Sequence, residues 1–589
     1  MTIGRNMTPN REERTHMSLK NKAIAVVGVA VLASTTLLSV NAASAATTTF
    51  TTPVAPIKGA VKGGTVTILA QGDFEHLDPA RNYVGGTLDF YRLFTRTLTQ
   101  YRTVNGKTDL VPDVAADLGT TKDGGKTWTF KLRTNLKYED GKKITCADMK
   151  YGVMRSYNDD ILDGGPTYAK DFISNPTDYK GPYTEPGKDL PTVICSPKGD
   201  AITFKLAIPV PYFPYVTTFG AFSPIPKAKD TKQNYELRPL SSGPYKIESY
   251  SRGKELVLVR NDQWDAKTDP VRWNYPDEYH VIMGADQNVI EQSLISDSGN
   301  AKTSVSFDTN IITNLSKVLN VAKYKERLFN FDSAYNRYYA INVDTVKDLN
   351  VRKAIQCAVD FKSILLAAGG TSAGSYANST IPKSIKAAYR NFNVCGRDVS
   401  KKPEAQIAQA KAFLAKATNP KTTLRLAYRD RGVEPLRAAA LEQSLKAAGF
   451  TVIMDKYPSS DFYAPAAKRG VANEPDIIQT SWAFDWAAAS GIVYALFDAR
   501  TMTPEDAKSN QSRGDFADLQ KLFVKADTSA TAAQEKLLGD IEQSLIVDKA
   551  AHVSVYFETS HYMAGSKVGG LQVDGGYSTL SVLGAYVKK

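Results

Sequence analysis

Apolar and polar residues alternate with a period of two in three stretches: KTWTFKLR from Lys126, ITFKL from Ile202 and KELVLVR from Lys254. Such alternation predicts half-buried strands. Thr65–Leu69 also reads as a strand and runs into the loop LDPARNYVGG. The spacing then turns helical over 88–98, with Leu88, Tyr91, Leu93, Phe94 and Leu98 apolar. In the later half the two periods interleave. Ile407, Ala410, Phe413 and Leu414 share one face of a helix over 404–417, with Pro403 near its start. A strand over Thr422–Ala427 follows, then a helix over 434–448 stopped by Gly449. Next come a strand at Thr451–Met454, a short helix near Phe462 and a strand at Asp476–Gln479. This interleaving predicts βαβ units and a largely parallel sheet. Ligands of such sheets sit beyond the strand carboxyl ends, so SWAFDW at 481–486 is the segment to search for a site.

A different pattern opens the chain. Lys20 and Lys22 precede an apolar run from Ala23 to Val40 that ends in Ala43-Ser44-Ala45. Charged, apolar and small-residue regions in that order predict a secretory signal peptide over 1–45, cleaved after Ala45. The run is close to the shortest spanning helix, but Thr35, Thr36 and the small-residue site favour cleavage over an anchor. Residues 46–62, rich in Thr, Ala and Pro, read as a flexible leader. No Cys precedes Cys146, so a lipid-modified cysteine is not expected, and no later run is apolar enough to span a bilayer. A secreted or extracytoplasmic soluble protein is the expectation.

Composition narrows the function. A chain of 589 residues is too long for one ordinary core and predicts two or three lobes. Its 30 Tyr against 5 Trp suit an amphipathic cleft, or equally a strand-rich surface. Removing the net +3 of the segment through Ala45 from the total of +12 leaves +9. Those charges are scattered among acids with no run of five, which argues against nucleic acid as a partner. Four Cys in an exported chain predict two disulfides, and without a C-x-x-C neither redox chemistry nor a Cys-rich zinc site is expected. The five His lack metal-ligand spacing, so neither a metal nor a cofactor is expected. Gly370-Thr371-Ser372-Ala373-Gly374 fits G-x-S-x-G, with His552 and His561 downstream. However, a helical stretch over Val351–Ala368 precedes it and a polar loop follows, the wrong context for a nucleophile elbow. DGGKT at Asp123–Thr127 has Thr120 where a P-loop requires Gly. No catalytic residue is assigned, and a binding protein rather than an enzyme is expected.

Six landmarks then occur in order: LDPA at Leu77, LVPDVAADL at Leu110, WTFKLRTNLKYEDGKKIT at Trp128, VPYFPYVTTFGAFSPIPKA at Val210, SGPYKI at Ser242 and NVRKAIQCAVD at Asn350. Together they resemble the extracellular solute-binding proteins for peptides and nickel (family 5) that serve ABC importers. The resemblance implies an α/β, two-lobed clam shell of the type II periplasmic-binding-protein kind with an extra third domain. Lobe I would comprise 63–94, 207–328 and 556–589, the extra domain 95–206 and lobe II 329–555. The implied function is capture of a small ligand, most simply a peptide, by lobe closure and delivery to an ABC permease, the protein acting as a monomer. An oligosaccharide or metal chelate on the same scaffold, or a secreted signalling or surface-interaction role without transport, stays open. Of the three disulfide connectivities, the sequential one, Cys146 with Cys195 and Cys357 with Cys395, keeps each pair within one part. Peptide-binding relatives carry W-x-x-D where this chain has Trp482 to Asp485, which implies that Asp485 meets a ligand ammonium group; a helix cap or structural ion pair is the competing role. Trp482 and Trp486 would stack on the ligand or pack at the hinge. Tyr83 and Tyr338 fall at ligand-wall positions, where packing competes with contact as their role. Gln479 stands where oligopeptide binders carry Arg, which weakens any inference about carboxylate recognition.

Overall fold

The computed structural model describes residues 53–589 except 84, 159–161, 163–164, 308–309, 431, 459–461 and 530. The expected signal peptide and its cleavage site lie outside the described residues. The described chain belongs to one compact unit. Among these residues no helix is long and apolar enough to cross a membrane.

A five-stranded sheet organises the first lobe, in the order Ser304–Ser306, Thr65–Leu69, Glu278–Ile282, Glu255–Arg260, Tyr245–Ser251. Thr65–Leu69 is parallel to both neighbours and buries Val66 and Ile68 completely, as its alternation requires. The helical spacing over 88–98 is realised only in part, as a helix Gly85–Phe90 and a 3-10 turn Tyr91–Leu93. The helix stops there because the Phe94 carbonyl accepts the Ser242 and Gly243 N–H groups instead of an i+4 partner.

The segment 95–206, expected as the extra domain, carries its own antiparallel sheet, with Ala201–Lys205 between Thr127–Lys131 and Val193–Cys195. A hairpin, Thr99–Val104 with Lys107–Pro112, turns on Asn105 and Gly106, both at positive φ (51° and 74°). Asn-Gly is suited to such a turn. The helix Cys146–Arg155 begins at a capping box between Thr145 and Asp148. A disulfide joins Cys146 to Cys195 and so fastens this helix to the edge strand.

The second lobe is built on six strands in the order Gly374–Tyr376, His552–Met563, Leu328–Ile341, Ile477–Trp482, Thr423–Asp430, Thr451–Pro458. The two pairings of Thr423–Asp430, with Thr451–Pro458 and Ile477–Trp482, are parallel; the other three are antiparallel. The sheet is therefore mixed, not largely parallel. Leu328–Ile341 and His552–Met563 lie side by side and run through the expected lobe boundaries at 328/329 and 555/556. One brings the chain into the second lobe and the other takes it back, which imposes opposite directions. The βαβ reading does hold between Thr423–Asp430 and Thr451–Pro458, which the helix Glu434–Ala448 connects before ending at Gly449 (φ 105°). The other disulfide, Cys357 to Cys395, lies in this lobe.

Several landmark residues fix the parts to one another. In the LDP loop, Asp78 accepts the Ala80 N–H (3.0 Å) and both terminal nitrogens of Arg155 (3.1 and 2.7 Å), a fully buried bidentate pair. The loop is thus anchored to the helix of the extra domain just before Tyr83. Trp128 donates to the Val210 carbonyl (3.1 Å). Residues 53–62, within the segment read as a leader, are docked: Val54 N–H bonds Asp269 O, Trp273 Nε1 bonds the Ala55 carbonyl and Ile57 packs on the core.

Candidate ligand-binding cleft

The strand Ile477–Trp482 ends at an irregular loop that leads into the helix Ser490–Phe497. Gly491 makes the loop possible, because a Cβ there would lie 2.6 Å from the Trp486 carbonyl oxygen. Its own carbonyl accepts the Asp485 N–H at 3.1 Å. Trp486 then turns away from solvent. It is 2% exposed, donates to Ser490 Oγ (2.8 Å), stacks on Tyr212 and meets Tyr168 edge-on, both with centroids 5.2 Å away. The Ala487 N–H bonds the Tyr101 hydroxyl (3.3 Å), and the Ala489 N–H bonds the Glu535 carboxylate. With one side pinned against lobe I and the extra domain, the loop presents Trp482, Phe484 and Asp485 to a cavity.

The carboxylate of Asp485 is the distinctive group of that cavity. Tyr83 Oη donates to Oδ1 at 2.6 Å and lies 2.9 Å from the Tyr168 hydroxyl. Oδ2 is withdrawn from solvent and has no hydrogen-bond partner among the described residues. No cation pairs with it there either. Burial therefore pushes its carboxyl up to about 7, against the opposing pull of the Tyr168 and Tyr83 hydroxyls. A buried carboxylate oxygen without a partner carries a desolvation cost that a donor entering the cavity would remove.

The cavity has a volume of about 200 Å³, and aromatic side chains dominate its walls: Tyr83, Phe219, Tyr335, Tyr463, Trp482, Phe484 and Tyr577. A second cavity of about 270 Å³ shares Phe484 and Ser578 with it and is lined by Asp332, Ser375, Asn378, Ser379 and Lys383 among others. The two form one cleft, with the second lobe supplying 375–384 and 481–484 and the first supplying Tyr83, Phe219 and the C-terminal segment around Ser578.

Residues 109–504, more than half of the chain, match the profile of the bacterial extracellular solute-binding proteins, family 5 (middle region). The chain belongs to this family. It is 24% identical to a probable D,D-dipeptide-binding periplasmic protein of Escherichia coli over 487 residues, covering 80% of this chain and 84% of that one. A 156-residue stretch is 32% identical to the periplasmic oligopeptide-binding protein of Salmonella typhimurium, covering 24% of this chain and 27% of that one. Among solved structures, the clavulanic acid biosynthesis oligopeptide binding protein 2 superposes with a TM-score of 0.81 at 25% identity, covering 91% of this chain and 97% of that one. An ABC transporter-associated periplasmic binding protein of Helicobacter pylori, in complex with the peptide STSA, superposes at 0.67 with 17% identity over 90% and 99% of the two chains. The fold is accordingly the two-lobed α/β clam shell of the type II periplasmic binding proteins.

Within this family 5 scaffold the expected site residues separate. Tyr83, Trp482 and Asp485 come together at the first cavity. Trp486 and Tyr338 do not line either cavity. Tyr338 is 3% exposed and stacks on His552 at 4.3 Å in the core of the second lobe. Gln479 is also buried, bonding the Tyr339 hydroxyl and the Glu434 carbonyl. At the G-x-S-x-G segment, His561 Nε2 meets the Ser372 backbone carbonyl and not its hydroxyl, which donates to Gly369 O. His552 is buried, with its imidazole pushed down to about 3 by desolvation. Sequence reasoning missed Tyr168 and the wall formed by Gly576, Tyr577 and Ser578. A signal was present in DGGYS at 574–578: a Cβ on Gly576 would lie 2.3 Å from the Tyr101 ring, and Ser578 sits at φ 53° with its hydroxyl accepting the Ala334 N–H.

Proposed function

We propose that this protein is the extracytoplasmic ligand-capturing component of an ABC importer for short peptides. The lobes close on a peptide, its terminal ammonium meets Asp485, and the closed monomer docks on a membrane permease that receives the ligand. The observation that carries this reading is Asp485 Oδ2, a solvent-shielded acceptor with no hydrogen-bond partner among the described residues, in an aromatic-walled cavity. An ammonium supplies both the missing donor and the missing charge. Aromatic faces around it add cation–π attraction. The second cavity offers room for the remainder of the ligand and places charges of both signs on its walls, Asp332 and Asp574 against Lys383. The names of the relatives, a dipeptide binder and an oligopeptide binder, agree with this ligand class. A sugar is less well served, because Trp486 is committed to packing and only Trp482 reaches the cleft. The chain binds its ligand without converting it.

Native mass spectrometry of protein purified without denaturant tests the proposal. The expected result is an adduct that fragments to amino acids, or one that forms on adding a short-peptide library. A copurifying sugar or metal chelate, with no uptake from the library, would overturn it.

A further inference from the structure

The extra domain holds a third hollow, of about 440 Å³, that shares no lining residue with either cleft cavity. Its size falls within the range of roughly 300–1,000 Å³ typical of small-molecule pockets. Val114, Leu132, Ile144 and Met149, all buried, line it beside the Cys146–Cys195 disulfide. Three cations complete the lining, Arg133, Lys143 and Lys198, with no carboxylate among the described lining residues. Lys143 and Lys198 are exposed. Arg133 is half-buried, and its Nε bonds the Asp113 backbone carbonyl at 2.9 Å. The Asp113 carboxylate is already taken by Arg96 and Arg272, so Arg133 has the peptide oxygen but not the charge. Burial, and then repulsion from Arg96, make its cationic form harder to hold. Three like charges around an apolar hollow repel one another, and a bound anion would relieve that repulsion.

We propose that this hollow is a second binding site, for a small amphipathic anion: a phosphate or carboxylate carried on a compact apolar body. The apolar part packs on Leu132, Ile144 and Met149, and the anionic group receives charge-assisted hydrogen bonds from Arg133, Lys143 and Lys198. The site is separate from the peptide cleft and independent of what the cleft binds.

The test is calorimetric titration of the full mature chain with 1-naphthyl phosphate, with inorganic phosphate and 1-naphthol as its two halves and 1-naphthoate as the carboxylate counterpart. Saturable one-site binding of the naphthyl anions is expected, weakened by salt, with each half binding about tenfold more weakly or worse. Lys143→Glu combined with Lys198→Glu, both at exposed positions, should weaken it at least about tenfold. Arg133→Gln should do the same, and Asp485→Asn in the cleft should leave it unchanged. No saturable binding, or unchanged affinity in both the lysine and arginine variants, would overturn the site. Equal binding of 1-naphthol or of inorganic phosphate would overturn its amphipathic, anionic class.

Discussion

Two aspartates of this molecule, Asp113 fully buried and Asp485 half-buried at the cleft, meet opposite fates. Asp113, in the 95–206 segment, accepts Arg96 Nε at 2.6 Å, an Arg272 terminal nitrogen at 2.7 Å and the Thr97 N–H. Burial alone would raise its carboxyl, but the Arg272 and Arg96 guanidiniums outweigh it and hold the group below the usual carboxylate range. Asp485 is given two phenolic hydroxyls and no cation, and burial wins. A structural charge arrives with its counter-charge built into the fold. In the function proposed for Asp485 the charge leaves a place open, and its desolvation cost is offset when a ligand donor fills that place.

The largest test of this contrast is Asp113→Ala. Removing one partner of a buried ionic network strands the others, at a cost of about 3–5 kcal/mol. Chemical denaturation should show this loss, with ligand affinity unchanged in the surviving folded fraction. A small effect would mean that Asp269 and the carbonyl contacts satisfy Arg96 and Arg272.

Asp485→Asn should do the reverse. Ligand affinity falls by about 2–5 kcal/mol, thirtyfold or more, because the ammonium loses its charged partner. Calorimetry with the identified peptide reads this directly. The ligand-free protein should not lose stability. The folded state holds the Asp485 proton more tightly than the unfolded chain, so this group's contribution is most favourable below pH 4 and is lost as pH rises to about 7. The asparagine variant should therefore melt higher than the parent at pH 8, and the gap should close on acidification to pH 4. A variant less stable at pH 8 would make Asp485 a structural group like Asp113.

The same shift predicts the pH dependence of binding. Below about 7 the ammonium must displace the carboxyl proton, so affinity should fall by up to about tenfold per pH unit, with proton release on binding. Titrations in buffers of different ionisation enthalpy measure that release. Binding that is flat between pH 5 and 7, or equally steep in the asparagine variant, would remove Asp485 from the recognition step.

The smallest expected effect is that of Tyr83→Phe. It removes the donor to Oδ1, worth about 0.5–1.5 kcal/mol, and should raise the pH at which binding weakens. No displacement of that midpoint would mean that Tyr168 and solvent replace the lost hydroxyl.

The sequence by itself determined much of the local structure. The helix Glu434–Ala448 and its Gly449 stop lie at the expected residues, as do the strands at Thr65, Thr127 and Ile202, because alternation and capping are properties of neighbours along the chain. The family was also legible, since its landmarks are short and ordered. Those landmarks include internal anchors such as Asp78 and Trp128, whose partners Arg155 and Val210 lie far along the chain. Only the tertiary structure decided which side of each element faces the cleft. Trp482 and Trp486 are four residues apart and equally apolar, yet one faces the cleft and the other is packed against Tyr212 and Tyr168. Tyr338 lies in the core because the second lobe covers it, and the sheet is mixed because two of its strands carry the chain between the lobes. Periodicity fixes the face a side chain occupies on its own element. What covers that face is set by segments far along the chain, such as Tyr83 and Tyr577 at the walls of the Asp485 cavity, and no local pattern encodes that pairing.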